Sequence, residues 1–196
     1  MLRIERNPQP EFWDGLKKFK NYNELDNTDE GKKMRSLIRE YLIKEQEGIC
    51  AYCCRSIDNK SSLNEHIKPR DSFDNHSLDY DNIVASCTQS DTCSAAKGNE
   101  YSQKFVSPLD DDVENHFALA PNGMIICLTE KAKYTCELLN LNSHNLTQVR
   151  KAVIDVCKMY GEDIEDIIKY YLYKDNGDYQ AYADAIKYYC DHSEIR

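Results

Sequence analysis

Apolar residues recur at three- and four-residue intervals through Met34, Leu37, Ile38, Tyr41 and Leu42, the spacing that gathers them on one helical face. The pattern starts after NYNELDNTDE, where Asn27 or Thr28 can cap the first turn, and stops at Gly48. It predicts an amphipathic helix closing an N-terminal helical segment, residues 1–48. From Ile49 to about Asn99 the periodicity gives way to short runs and turn residues. SSLNEHIKP and DYDNIVASC are too short and broken for long helices, and predict two short strands or loops. A short helix is expected to begin near Cys93 and run through SAAKG. HFALA and MIICL then flank Pro121-Asn122-Gly123, a turn signal that predicts one hairpin in a connecting stretch, 105–142. Three helical patterns follow. The first uses Leu146, Val149, Val153, Val156 and Tyr160; the second Ile164, Ile167, Ile168, Tyr171 and Leu172; the third Tyr179, Tyr182, Ala183, Ile186 and Tyr189. The expected class is α+β, mainly helical, in three segments: 1–48, 49–104 and 105–196.

Length and composition narrow this picture. A chain of 196 residues suits one domain, or a small domain wrapped by a larger helical one. No apolar run approaches the roughly 20 residues of a membrane-spanning helix. The opening MLRIERNPQP has no continuous apolar stretch, so a cytoplasmic protein without signal peptide or membrane contact is expected. Nine cysteines in a reducing compartment point to metal rather than disulfides.

The formal charge of −9 is unevenly spread. Residues 1–48 carry ten basic and ten acidic side chains, residues 49–104 six and eight, and residues 105–196 nine and sixteen. A protein that grips nucleic acid alone presents a basic surplus, because phosphate neutralisation dominates such affinity. This chain has none, so any polynucleotide substrate is expected to be held by something else. The tail is dense in tyrosine, but Asp163, Asp166, Asp175 and Asp184 lie among the rings. It reads as helix packing or a protein interface rather than a base-stacking platform.

The cysteine spacing carries the first chemistry. Cys50 and Cys53 form a C-x2-C turn, Cys87 and Cys93 a wider pair, and 33 residues separate the two pairs. Together they predict a tetrahedral four-thiolate zinc site that ties two turns together and, having no open coordination position, holds the fold without doing chemistry. Cys54, next to a ligand, is expected to point away. Cys127, Cys136, Cys157 and Cys190 sit in apolar patterns and read as core.

Between the cysteine pairs stand Glu65-His66-Ile67-Lys68-Pro69 and Asn82-Ile83, and after them Lys97-Gly98. This order resembles the HNH nuclease family over residues 50–99, about a quarter of the chain. RIERNPQPEFW, SPLDDDVENHFALAPNGMI and LLNLNSHNL resemble its retron-associated branch, related to the nuclease subunit of Septu-type anti-phage systems. The resemblance implies a small ββα-metal core with a four-cysteine zinc knuckle, flanked by an N-terminal helix, a β-hairpin and a C-terminal helical region. It implies a metal-dependent endonuclease acting on DNA or RNA, working with an ABC/SMC-like ATPase and, in a retron, a reverse transcriptase with its msDNA. His66 would be the general base, and Glu65 a ligand to Mg2+ or Mn2+. Asn82 would brace the loop that orients His66, and Lys97 would offset phosphate charge.

Strand alternation would send Glu65 and His66 to opposite sides, so a twist or bulge is expected to bring both toward one phosphate. Two positions depart from the family pattern. Glu65 stands where Asp is usual, and Ser94 stands where the short helix usually carries Asn or His; Asn99 or His76 could take the place of that third residue. The alternative readings are a weak or inactive HNH scaffold acting as an interaction module, and a zinc-finger nucleic-acid binder without catalysis.

Overall fold

Thr28 opens the first α-helix, α1 (Asp29–Glu45), in the computed structural model of the chain, which describes residues 1–159 and 164–192. Its hydroxyl oxygen accepts from Gly31 N at 3.0 Å, satisfying one of the amide donors that a helix start leaves open. Ile38 and Leu42 are fully buried, whereas Leu37 faces out. The apolar stripe is therefore narrower than the spacing suggested. Two 3-10 helices, Glu11–Lys18 and Tyr22–Asn27, precede α1 and carry Trp13, Leu16, Tyr22 and Leu25 into the core. Arg6 pins this N-terminal arm, bonding Glu45 Oε2 at 2.5 Å and Tyr80 O at 2.9 Å, with its guanidinium 4.4 Å from the Tyr80 ring centroid.

The two short strands form as expected. β1 (Ser62–His66) pairs antiparallel with β2 (Ile83–Cys87), from Ser62 opposite Cys87 to His66 opposite Ile83. β2 is buried along its whole length, with α1 packed on the strand pair. The short helix α2 (Cys93–Lys97) follows and packs on β2.

A short helix, α3 (Val113–His116), then leads into the expected hairpin of β3 (Phe117–Leu119) and β4 (Ile125–Cys127). Gly123 sits in its turn at φ +83°, where a Cβ would lie 2.1 Å from Thr147 O. Gly123→Ala is expected to cost more than about 1 kcal/mol, since both the backbone conformation and the space exclude a side chain. Chemical denaturation checks this, and an unchanged stability would contradict it.

α4 (Glu130–Leu138) occupies part of the stretch expected to be connector. Its buried residues, Ala132, Thr135 and Cys136, are too weakly apolar to announce a helix, and the Thr129 cap on Ala132 N at 3.1 Å fixes its start. α5 (His144–Met159) buries Leu146, Arg150, Ile154 and Cys157. An arginine thus takes a core position, while Val156, expected inside, faces out.

The second pattern resolves into α6 (Ile164–Ile167) and a π-helical turn, Ile168–Leu172. The last helix, α7 (Ala183–His192), begins later than its pattern suggested. Tyr179 instead bridges to Tyr173, their rings stacked 5.2 Å apart, and Tyr182 takes φ +63°. Tyr160, Asp163 and the Ile164 side chain lie outside the described residues.

One apolar cluster draws members from Met1 to Ala185, and a smaller one packs Cys157, Ile167, Leu172, Ala183, Ile186 and Cys190. Among the described residues no helix is long and apolar enough to cross a membrane.

Candidate functional site

Three separate pieces of chain bring four sulfurs together: the Cys50–Cys53 turn, the end of β2 at Cys87, and the first residue of α2 at Cys93. All four lie within 4.8 Å of one another, with Cys50 to Cys93 at 3.9 Å and Cys53 to Cys87 at 3.8 Å. Four sulfurs placed tetrahedrally at about 2.3 Å from a metal would stand about 3.8 Å apart. The cluster therefore has the geometry to hold a metal ion. It is far from the roughly 2.05 Å of a disulfide. Cys87 N approaches Cys50 Sγ at 3.3 Å, a donor suited to a thiolate. Cys54, at φ +57°, lies outside the cluster, and burial followed by the Asp184 charge pushes its thiol up to about 12.

The ladder runs unbroken through Glu65 and His66, which pair with Val84 and Ile83. The expected bulge is absent, and strand alternation holds. Glu65 turns to α2, where Oε2 accepts from the Ser94 hydroxyl and Oε1 lies 2.9 Å from Lys97 Nζ. That ammonium also donates to His66 O, 2.9 Å away, so one buried cation serves both the Glu65 carboxylate and the end of β1. The Tyr52 hydroxyl is buried without a hydrogen-bond partner among the described residues, and burial first, then the Glu65 charge, raises its pKa. Lys97 is itself only 1% exposed. Its expected place against a phosphate is thereby corrected: the ammonium neutralises Glu65 inside the protein, because α2 lays its last turn against the end of β1.

His66 turns instead toward the Tyr22–Asn27 helix. Its ring meets the Tyr22 ring at 4.7 Å and 85°, and Nε2 lies 2.9 Å from Ser77 O. A carbonyl only accepts, so Nε2 carries the proton and Nδ1 the lone pair. Among the described residues Nδ1 has no hydrogen-bond partner. Burial, aided by the charges of Arg70, Lys97 and Arg35 and opposed by the Ser77 carbonyl, pulls the pKa of His66 down to about 4. The imidazole is neutral near pH 7.

Asn82 ties the same loop from the other end. Its Oδ1 accepts from Lys68 N at 2.7 Å, and its Nδ2 donates to Lys68 O at 3.1 Å and His76 O at 2.9 Å. The His76 carbonyl precedes Ser77, so Asn82 fixes the segment on which His66 is anchored. His76 and Asn99 stand apart from Glu65. His76 Nδ1 contacts Asp79 Oδ2 at 2.6 Å beside an open hollow of about 530 Å³. The Asn99 amide donates to Asp71. Neither hydrogen-bonds Glu65 among the described residues.

Sequence reading had no signal for Tyr22, Ser77, Arg35 or Arg70 around the imidazole, because they come from three separate stretches with no motif of their own.

No protein-family model matches the sequence. Two curated proteins do. A retron Vc95 protein of Vibrio cholerae, whose name proposes an HNH endonuclease, is 28% identical over 136 residues, covering 62% of this chain and 65% of its own length. The Septu protein PtuB of Bacillus thuringiensis is 28% identical over 109 residues, covering 54% of this chain and 41% of its own. The matches thus span less than two thirds of either relative. The resemblance carried by the motif order has its counterpart in these sequences: the chain is a relative of a retron HNH protein and of a Septu protein.

Proposed function

We propose that the chain is a metal-dependent HNH endonuclease that hydrolyses phosphodiester bonds in DNA or RNA, as the nuclease of an anti-phage complex of the retron or Septu kind. The observation that carries this reading is the His66 imidazole: neutral and anchored through Nε2 on Ser77 O, next to Glu65 at the end of β1 but on the other face of the strand. Nδ1 takes a proton from the attacking water as its oxygen bonds to phosphorus. The bond from phosphorus to the 3′ oxygen breaks, and that oxygen leaves with a proton from solvent.

Mg2+ or Mn2+ at Glu65 would act as a Lewis acid on the phosphate and the leaving oxygen. A cation there would share the carboxylate with Lys97 and Ser94 and fill the rest of its shell with water and substrate phosphate oxygens. Lys97 is a positioning residue, giving Glu65 a counter-charge and holding the His66 carbonyl. Asn82 positions the loop. The four-cysteine cluster would hold Zn2+ as a structural ion. The resemblance implies an ABC/SMC-type ATPase partner, with or without a reverse transcriptase, and the absence of a basic surplus supports a partner that presents the substrate.

His66→Ala in the assembled complex tests the reading. Losing a general base should slow cleavage by about a hundredfold or more, with metal content retained and the variant still folded by circular dichroism at the assay temperature. Undiminished cleavage would remove His66 from the mechanism.

A second reading, a non-cleaving scaffold that docks a partner, is favoured by one observation: both Glu65 oxygens already face Ser94 and Lys97. It expects intact substrate with Mg2+ or Mn2+ in every combination of partners, while the complex still assembles.

A further inference from the structure

Although the chain is acidic overall, the surroundings of His66 are not. The guanidinium carbons of Arg35, from α1, and Arg70, just beyond β1, each lie 5.2 Å from the centroid of the Tyr22 ring. Tyr22 is buried and packs directly on the His66 imidazole. Asn64, two residues before His66 and so on the same face of β1, locks the arrangement. Its Nδ2 donates to the Tyr22 hydroxyl at 2.7 Å and to Arg35 O at 2.9 Å. Asn64 Oδ1 stays buried without a partner.

Arg70 spends one donor on Asn23 Oδ1 at 2.7 Å, and among the described residues it makes no ion pair. Arg35 pairs with Asp26, an exposed contact worth little in water. Two planar forks with unspent donors are thus held on one aromatic ring beside the imidazole. A guanidinium fork matches the paired oxygens of a phosphate, and stacking on a ring fixes its plane before the ligand arrives.

We infer that Arg35 and Arg70, oriented by Tyr22, form a phosphate clamp that seats the backbone of a polynucleotide next to His66. The inference rests on the nuclease reading for its ligand, a sugar-phosphate backbone, and identifies the chain's own contribution to holding it. Tyr22 and Asn64 are positioning residues. The clamp accounts for how an acidic protein presents a local positive face: the two charges come from different elements and converge only through the tyrosine.

The test is binding, which does not depend on cleavage. Anisotropy titrations of fluorescent single-stranded DNA, duplex DNA and single-stranded RNA are run at several salt concentrations, on the complex carrying His66→Ala. Replacing both arginines by glutamine is expected to weaken binding about tenfold or more. It should also flatten the dependence of log K on log salt by about 1 to 2, the slope carried by one or two phosphates. The Arg35→Lys, Arg70→Lys pair keeps the charge and is expected to retain the slope while losing affinity through the lost fork. Should the double glutamine variant melt below the parent, Arg70→Gln alone decides, since among the described residues its one hydrogen bond is to exposed Asn23. An unchanged slope and affinity in a folded variant would overturn the clamp. Cleavage is read separately on the complex with His66 intact: loss of slope where that complex never cleaves would keep the clamp and reject the nuclease reading, and cleavage there with an unchanged slope would do the reverse. The three oligonucleotides separate DNA from RNA as the source of the phosphate.

Discussion

Cys53→Ser is expected to abolish metal binding and to melt the segment from Ile49 to about Asn99 near room temperature. The reason lies in how little regular structure that segment has. It contains two five-residue strands and a five-residue helix, and a two-stranded sheet is marginal in water without help. The cluster joins its three corners, at Cys50–Cys53, Cys87 and Cys93. Structural zinc in such settings contributes about 10–16 kcal/mol of binding energy, as large as the total stability of an ordinary domain at about 5–15 kcal/mol. Metal content by elemental analysis and thermal melting by circular dichroism, with and without a chelator, provide the check. Cys54→Ser is the control: it lies outside the cluster and should keep the metal. A Cys53→Ser protein that melts like the parent would mean that the cluster carries no metal of structural weight.

Asp184→Ala is expected to cost about 3–5 kcal/mol, the loss seen when one member of a buried charge pair is removed. Arg150 is fully buried, and its one described hydrogen bond is Nη1 to Leu141 O at 2.7 Å, leaving Nε and Nη2 without partners. Asp184, from α7, accepts from the Met1 amine at 2.9 Å and also feels the Arg150 charge through the buried interior. Deleting the carboxylate leaves the buried Met1 ammonium without its counter-charge and the Arg150 charge less compensated. For a chain of this size the melting temperature should fall by roughly 10 °C. Adding Arg150→Met should restore part of the loss, because an apolar side chain of similar length needs no counter-charge.

The same pair sets a pH dependence. Burial pushes the Asp184 carboxyl up, but the Met1 ammonium and Arg150 outweigh it and leave the group below its ordinary value. A carboxyl lowered in the folded state stabilises above its unfolded pKa of about 4, and that contribution is lost as pH falls through the folded value. Denaturation midpoints should therefore drop on acidification in the parent protein and drop less in Asp184→Asn. Parallel profiles would exclude Asp184 as the source.

Much of the fold is local enough to read along the chain. Thr28 caps α1 because a hydroxyl three residues before Gly31 can reach its amide, and the turn at Gly123 follows from the dipeptide itself. The strands on either side of the cysteine-free loop, the short helix at Cys93 and the gathering of four cysteines were legible for the same reason: residue type and spacing along the chain specify them. The 3-10 helices before α1 and helix α4 were not, since their buried residues are few or weakly apolar, and only contact with the rest of the protein makes them persist.

The candidate site divides along the same line. Glu65, His66, Asn82 and the cysteines could be named from their order, but not what each side chain faces. The ladder register sends Glu65 to Ser94 and Lys97 and sends His66 to Tyr22 and Ser77. Lys97, expected against a phosphate, and Arg150, which carries no motif, are both buried in the fold. Residue types and their intervals decide helix starts, turns and metal-ligand spacing, because those depend on neighbours a few positions away. Which charges are buried, and which arginines converge on one ring, depends on segments 13 to 48 residues apart packing together, and only the tertiary structure brings them into contact.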